Sequence, residues 1–254
     1  MPDHVDLGLQ GRIVLVTGGV RGVGAGISAV FSGQRATVIT CARRPVEGLP
    51  YEFHGCDIRD PDAVASLIDT IVDRHGRLDV VVNNAGGSPY SPAADASPRF
   101  HQKVIELNLL GMLHVSQAAN AVMQEQSGGG AIVSISSVSG RRPSPGTAAY
   151  GAAKAGVDSL TATLAVEWAP KVRVNAVVAG MVATEQVELF YGDSASQAAV
   201  ASTIPLGRLA QPADIGWAAA FLASDAASYI SGAALAVHGG GEPPPYLSAS
   251  NANN

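Results

Sequence analysis

The sequence predicts a doubly wound α/β fold, with a mainly parallel central sheet of about seven strands and helices on both faces. Three observations lead there. Short runs rich in Val and Ile recur along the chain and alternate with segments of helical periodicity. The runs are apolar at consecutive rather than alternate positions, as in strands covered on both faces. The first run ends in a cluster of glycines, the kind of turn from which a phosphate-binding helix starts. Arg12 to Thr17 (RIVLVT) is the first strand, and Gly22 to Ser32 is the helix after it. ATVITC from Ala36 is the second strand, and YEFHGC ending at Cys56 the third. Asp60 and Pro61 supply an N-cap and a first helical residue; Val64, Leu67, Ile68, Ile71 and Val72 then keep helical spacing until Gly76. LDVVVNNAG is the fourth strand. Ser97 and Pro98 open another helix, able to run into a second after Asn108, and GAIVSISS is the fifth strand. An Ala-rich helix runs from about Thr147 to Trp168, closed by Pro170; VRVNAVV and LAV near Leu235 complete the sheet. No linker or repeat divides the chain, so one domain is expected over 1–241. A Pro/Ser/Asn-rich tail over 242–254 reads as an extended end or a cap on a neighbouring subunit.

Composition narrows the function classes. With 47% apolar residues in a chain of 254, a large core forms without disulfide staples. The net charge of -5, from 16 basic and 21 acidic residues without long runs of either sign, leaves no footprint for nucleic acid or an anionic membrane. A small-molecule partner is expected instead. Cys41 and Cys56 stand in no metal-like spacing and read as structural thiols of a reducing compartment; no metal site is expected. The apolar region from Trp217 is broken by Asp225 and Gly232 before it reaches spanning length. The opening MPDHVDLGLQ lacks the basic start and apolar run of a signal peptide, so a cytoplasmic location is expected.

Two short stretches carry chemistry. TGGVRGVG places Gly18, Gly22 and Gly24 between a strand and a helix, where missing side chains let the backbone approach a pyrophosphate. A ligand-free tight turn also favours glycine, so this stretch alone leaves both readings open. YGAAK places Tyr150 and Lys154 four apart, on one face of a helix. Reducing a carbonyl needs an acid at the oxygen where charge develops, and a cation beside a phenol lowers a pKa that is otherwise about 10. The same spacing also describes an ordinary amphipathic edge.

The motifs that surround these stretches settle more. TGGVRGVG, Asp57 in CDI, NNAG ending at Gly86, Asn108 in LNLLG, Ser137 in ISSVSG, YGAAK, and a segment from Asn175 to Thr184 follow one another in order. In this the sequence resembles the short-chain dehydrogenase/reductase family, in its single-domain Rossmann-like subgroup, over residues 10–241. The resemblance implies that Gly18, Gly22 and Gly24 approach the cofactor phosphates, with Val23 a further cofactor contact and Arg21 adding to the charge that favours a 2'-phosphate, although NAD-dependent relatives also carry Arg there. It implies that Asp57 and Ile58 meet the adenine, that Asn84, Ala85 and Gly86 line the adenosine side, and that Asn83 holds the sheet. Gly180, Val182 and Thr184 would line the nicotinamide. Tyr150 would be the acid in reduction and the base in oxidation, with Lys154 lowering its pKa and holding the nicotinamide ribose. Ser137 would bind the substrate oxygen, Ser136 being its competitor, and Asn108 would position Lys154 and a water. Two departures stand out: Ala179 replaces a common proline, which is expected to loosen the nicotinamide turn, and His238 replaces a common aspartate, with a surface or subunit-contact role expected.

Cofactor choice is read at the end of the second strand. Ala42 stands where NAD enzymes of the family carry an acid, and Arg43 and Arg44 follow; two guanidiniums suit a ribose 2'-phosphate. NADP(H) is therefore expected over NAD(H), the competing view being that the arginines form a solvated loop. Between Glu185 and Gly207 lies the segment expected to form a substrate lid, with Val187, Leu189, Phe190 and Tyr191 as apolar surface and Gly192 as hinge. Packing of a short helix would explain the same residues. Arg141 and Arg142 would either receive thioester phosphates or face solvent. The expected substrate is a bulky apolar ketone or secondary alcohol such as a steroid or steroid-degradation intermediate. The alternatives are a 3-oxoacyl thioester carried on coenzyme A or acyl carrier protein and, in another class, a non-catalytic nucleotide-binding regulator. Ala- and Gly-rich helices and the resemblance together favour a homotetramer, with a homodimer next.

Overall fold

Runs of Val and Ile with no polar alternation need cover on both sides, and here they assemble into one parallel sheet. The computed structural model describes residues 6–244 and 246. Its strands are β1 (Ile13–Thr17), β2 (Thr37–Ala42), β3 (Glu52–Gly55), β4 (Val80–Asn83), β5 (Gly130–Ser137), β6 (Val172–Ala179) and β7 (Ala234–Val237). They lie in the order β3-β2-β1-β4-β5-β6-β7, and every neighbouring pair is parallel. From β1 the chain builds outward to β3, then returns to lay β4 on the other side of β1. This reversal leaves a crevice at the carboxyl ends of β1 and β4, the place where doubly wound sheets take ligands.

The helices are α1 (Gly22–Gly33), α2 (Pro61–His75), α3 (Pro98–Ile105), α4 (Gly111–Glu125), α5 (Ala148–Glu167), α6 (Val187–Tyr191), α7 (Ser194–Ser202) and α8 (Pro212–Ala223). Alternate residues of each strand serve opposite cores. Val14, Val16, Val80 and Val82 pack with Ile27 and Phe31 of α1 and Ile215 of α8. Leu15, Val81 and Ile132 pack with Ile71 of α2, Val115 and Met123 of α4, and Leu164 of α5. That division explains why the strands are apolar at every position. At the α1–α8 contact, a Cβ on Gly26 would lie 2.3 Å from Pro212 Cβ, so glycine is what lets these two helices approach.

The local signals mark the observed ends. Asp60 accepts from the backbone N–H groups of Asp62 and Ala63, Gly76 ends α2 at φ 74°, and Ser97 accepts from Phe100 N–H. The helix opened at Ser97 runs on into a second. α3 and α4 are joined by a π-helical turn, Glu106–Leu110, which carries Asn108 inside a continuous helix. Single π turns of this kind often stand at functional sites. The third strand stops at Gly55, one residue short of the expected Cys56. Cys41 and Cys56 are both buried and unbridged. Among the described residues no helix is long and apolar enough to cross a membrane. Most of the tail expected from residue 242 onward lies outside the described residues.

Candidate active site

The glycine turn joins β1 to α1 at the crevice. Gly18 and Gly22 have φ of 64° and 53°, which disfavour any side chain. Gly24 is held by contact instead: a Cβ there would stand 2.1 Å from Gly18 O. The turn is stitched to the end of β4 by Thr17, whose Oγ1 accepts from the N–H groups of Asn84 and Ala85, both at 3.0 Å. Asn84 Nδ2 donates in return to Thr17 O at 3.0 Å and Gly18 O at 3.2 Å. Thr17 was not singled out from sequence; a hydroxyl ending an apolar strand just before a glycine turn was the available sign. Arg21 is exposed at the N-cap of α1, while Val23 is half-buried against the core. Asn83 is buried and its Nδ2 donates to Ser116 Oγ at 2.8 Å, in keeping with a sheet-holding place.

Asn108 and Lys154 converge beside Gly86. A Cβ on Gly86 would lie 2.6 Å from Asn108 Oδ1 and 3.5 Å from Lys154 Nζ. Asn108 is fully buried and clamps the neighbouring backbone, with Oδ1 accepting from Gly87 N–H at 2.7 Å and Nδ2 donating to Gly87 O at 2.9 Å. Its expected hold on Lys154 is not a direct hydrogen bond: Lys154 Nζ donates to Ile135 O at 2.8 Å.

Tyr150 and Lys154 face one another on α5, with Nζ 5.5 Å from the centre of the phenol ring. Ser137, the last residue of β5, stands near enough to the Tyr150 hydroxyl to pull its pKa down. Ser136 points elsewhere and donates to Lys154 O at 3.2 Å, so Ser137 is the serine at the phenol. Burial dominates the electrostatics of the pair. Burial raises the Tyr150 pKa, and only the Ser137 hydrogen bond works against it. The pKa of Lys154 is itself lowered to about 7 by burial, with Asp158 opposing.

This gives a signed prediction. A lysine whose folded pKa is about 7, against 10.5 when unfolded, charges the folded state with a penalty that is full below pH 7 and fades as pH rises toward 10.5. Lys154→Met is therefore expected to melt higher than wild type at pH 6, with the gain shrinking by pH 9. Thermal melts at both pH values check this, and a gain that grows with pH counts against it.

At the far end of the crevice, β2 ends at Ala42, and Arg43 and Arg44 follow as exposed residues. Asp57 is not free: Arg59, unremarked in the sequence, grips both its oxygens. Hydrogen bonding from Arg59 lowers the Asp57 pKa, with a smaller pull from Arg43. Ile58 is buried against Gly111, which a Cβ would bring within 2.9 Å.

In the segment expected to line the nicotinamide, Gly180 N–H donates to Val237 O at 3.0 Å, and a Gly180 Cβ would lie 2.8 Å from His238 Cα. Val182 forms a bridge with Ala210, and Thr184 Cγ2 lies 3.5 Å from where a Gly22 Cβ would sit. The turn expected to loosen without proline is thus pinned by backbone hydrogen bonds to two neighbouring segments. His238 is half-buried, and its Nδ1 has no partner among the described residues. Arg141 pairs with Asp158 at 2.9 Å and Arg142 with Glu242 at 2.6 Å, so neither offers an unengaged charge to a thioester phosphate. The segment expected to form a lid folds into α6 and α7, with Gly192 between them at φ 74°. Neither helix buries a residue, and Leu189 and Phe190 are 77% and 58% exposed, which counts against simple core packing as their reason. Tyr191 is half-buried; burial raises its pKa, and Tyr150 adds to the rise from across the cleft. Tyr90, also unremarked in the sequence, covers Gly146, where a Cβ would strike its ring at 2.0 Å.

The strand order and the glycine turn at the switch point define a dinucleotide-fold protein. Comparison with known proteins takes this further. The family described as enoyl-(acyl carrier protein) reductase matches residues 18–242. The 3-oxoacyl-[acyl-carrier-protein] reductase of Thermotoga maritima is 34% identical, over 91% of this chain and 98% of its own. The 3beta-hydroxysteroid dehydrogenase 1 of Eggerthella lenta is 35% identical, over 91% and 94%. Among solved structures, the ligand-free aldohexose dehydrogenase of Thermoplasma acidophilum superposes with a TM-score of 0.89 at 31% identity, covering 98% of both chains. The chain belongs to the short-chain dehydrogenase/reductase family, whose members are oxidoreductases that use NAD(P)(H).

Proposed function

We propose that this chain is an NADP(H)-preferring oxidoreductase that interconverts a bulky apolar ketone and its secondary alcohol, with residues 1–241 as one catalytic unit. The observation that carries the catalytic reading is the convergence of Tyr150, Lys154 and Ser137 at the carboxyl end of β5. The dinucleotide fits the cradle in a testable sense: the space a Gly24 side chain would fill is already taken by backbone, so the turn can present its N–H groups closely to a pyrophosphate. When bound, the nicotinamide supplies or accepts the hydride at the carbonyl carbon. Tyr150 gives its proton to the oxygen as negative charge develops there, and takes it back in oxidation. Ser137 hydrogen-bonds the same oxygen. Lys154 stabilises the phenolate left behind, and Asn108 holds the Gly86–Gly87 backbone against which that ammonium rests.

Exposed Arg43 and Arg44, with no acid at Ala42, support the 2'-phosphate preference. Arg43→Ala is expected to raise KM for NADPH about tenfold and leave KM for NADH within about twofold, as for loss of one charge-assisted phosphate contact. Equal KM values for both cofactors in wild type, unchanged in the variant, would refute the preference.

The apolar lid supports the bulky substrate. A 3-oxoacyl thioester is the second reading, favoured by the near-full-length likeness to the Thermotoga maritima reductase. A screen with NADPH and NADH against steroids, acetoacetyl-CoA and simple ketones separates the two. Cofactor binding with no turnover anywhere on that panel would favour a regulator over an enzyme. A homotetramer is the proposed assembly; Val166 on α5, 80% exposed, gives an apolar contact for it.

A further inference from the structure

Glu185 opens the lid segment, directly after Thr184. Its carboxylate Oε2 accepts a hydrogen bond at 3.1 Å from the N–H of Gly22, the first residue of α1. That N–H belongs to the positive end of a twelve-residue helix, where unpaired donors attract anions. Both carboxylate oxygens also stand 3.8 Å from where a Gly22 Cβ would be, so the group lies over the turn and not beside it. The side chain is exposed, and among the described residues no Lys, Arg or His is in ion-pair range of it. Its one recorded partner is therefore the backbone amide that the dinucleotide reading assigns to a phosphate.

The surroundings allow this carboxylate to leave. α6 and α7, which follow it, bury none of their residues, and Gly192 and Gly207 give the segment positive-φ joints. The base of the segment is fixed by the Val182–Ala210 bridge, so displacement of Glu185 need not disturb β6.

We propose that Glu185 is a resident anion of the phosphate turn: its carboxylate holds the α1 N-terminus until a dinucleotide pyrophosphate displaces it, moving the start of the lid. The proposal rests on the dinucleotide reading of the turn. It makes Glu185 a residue that sets cofactor affinity, by competing locally with the pyrophosphate and not with the adenosine end.

Fluorescence titration of NADPH and NADH into the full chain tests it, using wild type, Glu185→Ala and Glu185→Gln, with adenosine 2'-monophosphate as a ligand that lacks the pyrophosphate. The expected result is a dinucleotide Kd about two- to fivefold lower in both variants, the size of a helix-terminus charge interaction. The Kd for adenosine 2'-monophosphate should stay at its wild-type value. An unchanged or higher dinucleotide Kd in variants of a wild type that does bind overturns this inference alone. Equal tightening of adenosine 2'-monophosphate also overturns it, because a general loss of negative charge would then explain the effect. A wild type that binds neither dinucleotide overturns the reading of the turn and this inference with it.

Discussion

Tyr150→Phe is expected to lower turnover by at least about a hundredfold while dinucleotide affinity stays within about twofold of wild type, the loss being that of one general acid. The substitution removes a single oxygen. The ring stays half-buried on α5, and Lys154 Nζ keeps an aromatic face at 5.5 Å and its hydrogen bond to Ile135 O. What disappears is the only proton donor that Ser137 and Lys154 jointly surround. Because burial keeps the phenol protonated, wild type holds its acid ready over the whole neutral range, so no choice of pH rescues the variant. Steady-state kinetics on whichever substrate the panel reveals, paired with an NADPH titration, checks both halves. A folded Tyr150→Phe protein with substantial activity would remove Tyr150 from the chemistry.

Gly24→Ala is expected to abolish measurable dinucleotide binding and to destabilise the fold by about 1–3 kcal/mol, the usual cost of forcing extra volume into packed surroundings. The added carbon would meet Gly18 O at 2.1 Å and Asn84 Nδ2 at 2.5 Å. Neither neighbour yields cheaply. Gly18 is a positive-φ backbone position, and Asn84 is held by its donations to Thr17 O and Gly18 O. Relief would have to open the seam between β1 and β4, which is the crevice itself. Gly33→Ala is the matched control at the other end of α1: nothing lies within 4 Å of its Cβ position. It should be neutral or stabilise by up to about 1 kcal/mol. Thermal melts and NADPH titrations of both variants decide the matter, and similar behaviour of the two would show that contact at Gly24 does not matter.

The sequence was most readable where a signal and its structural partner lie close together. Asp60 caps the two N–H groups just after it, and Gly76 ends the helix it follows; both needed only local chemistry. Order along the sheet was readable for a related reason, since a strand buried on both faces must be apolar throughout whatever its neighbours are. The glycine turn and the Tyr150–Lys154 spacing were visible too, although their meaning came from the ordered motifs around them.

What stayed hidden depends on distant partners or on burial. Thr17 matters through Asn84 and Ala85, more than sixty residues away. Arg142 looked available for a phosphate until Glu242, one hundred residues on, closed on it. Asn108 accepts from Gly87 N–H and donates to Gly87 O and Val104 O from within a π turn, which no spacing rule announces. The upward shift of Tyr150 and the downward shift of Lys154 follow from burial, which spacing along a helix does not reveal. Arg59, by contrast, was legible and passed over, standing two residues from the aspartate it grips.

The bridge between Val182 and Ala210 has a consequence beyond anchoring a turn. It joins the two ends of the excursion that carries α6 and α7, and Ala183 and Ala210 add N–H donations to Ala210 O and Met181 O. A loop whose ends are tied to each other is thermodynamically modular, because its closure cost varies only slowly with what lies between. The residues from Gln186 to Thr203, between Glu185 on the glycine turn and the buried Ile204, are in this sense a replaceable cassette. On the lid reading proposed above, exchange or lengthening there is expected to change which substrate is admitted without reopening the sheet, so that one scaffold acquires new substrates by rewriting a single insert.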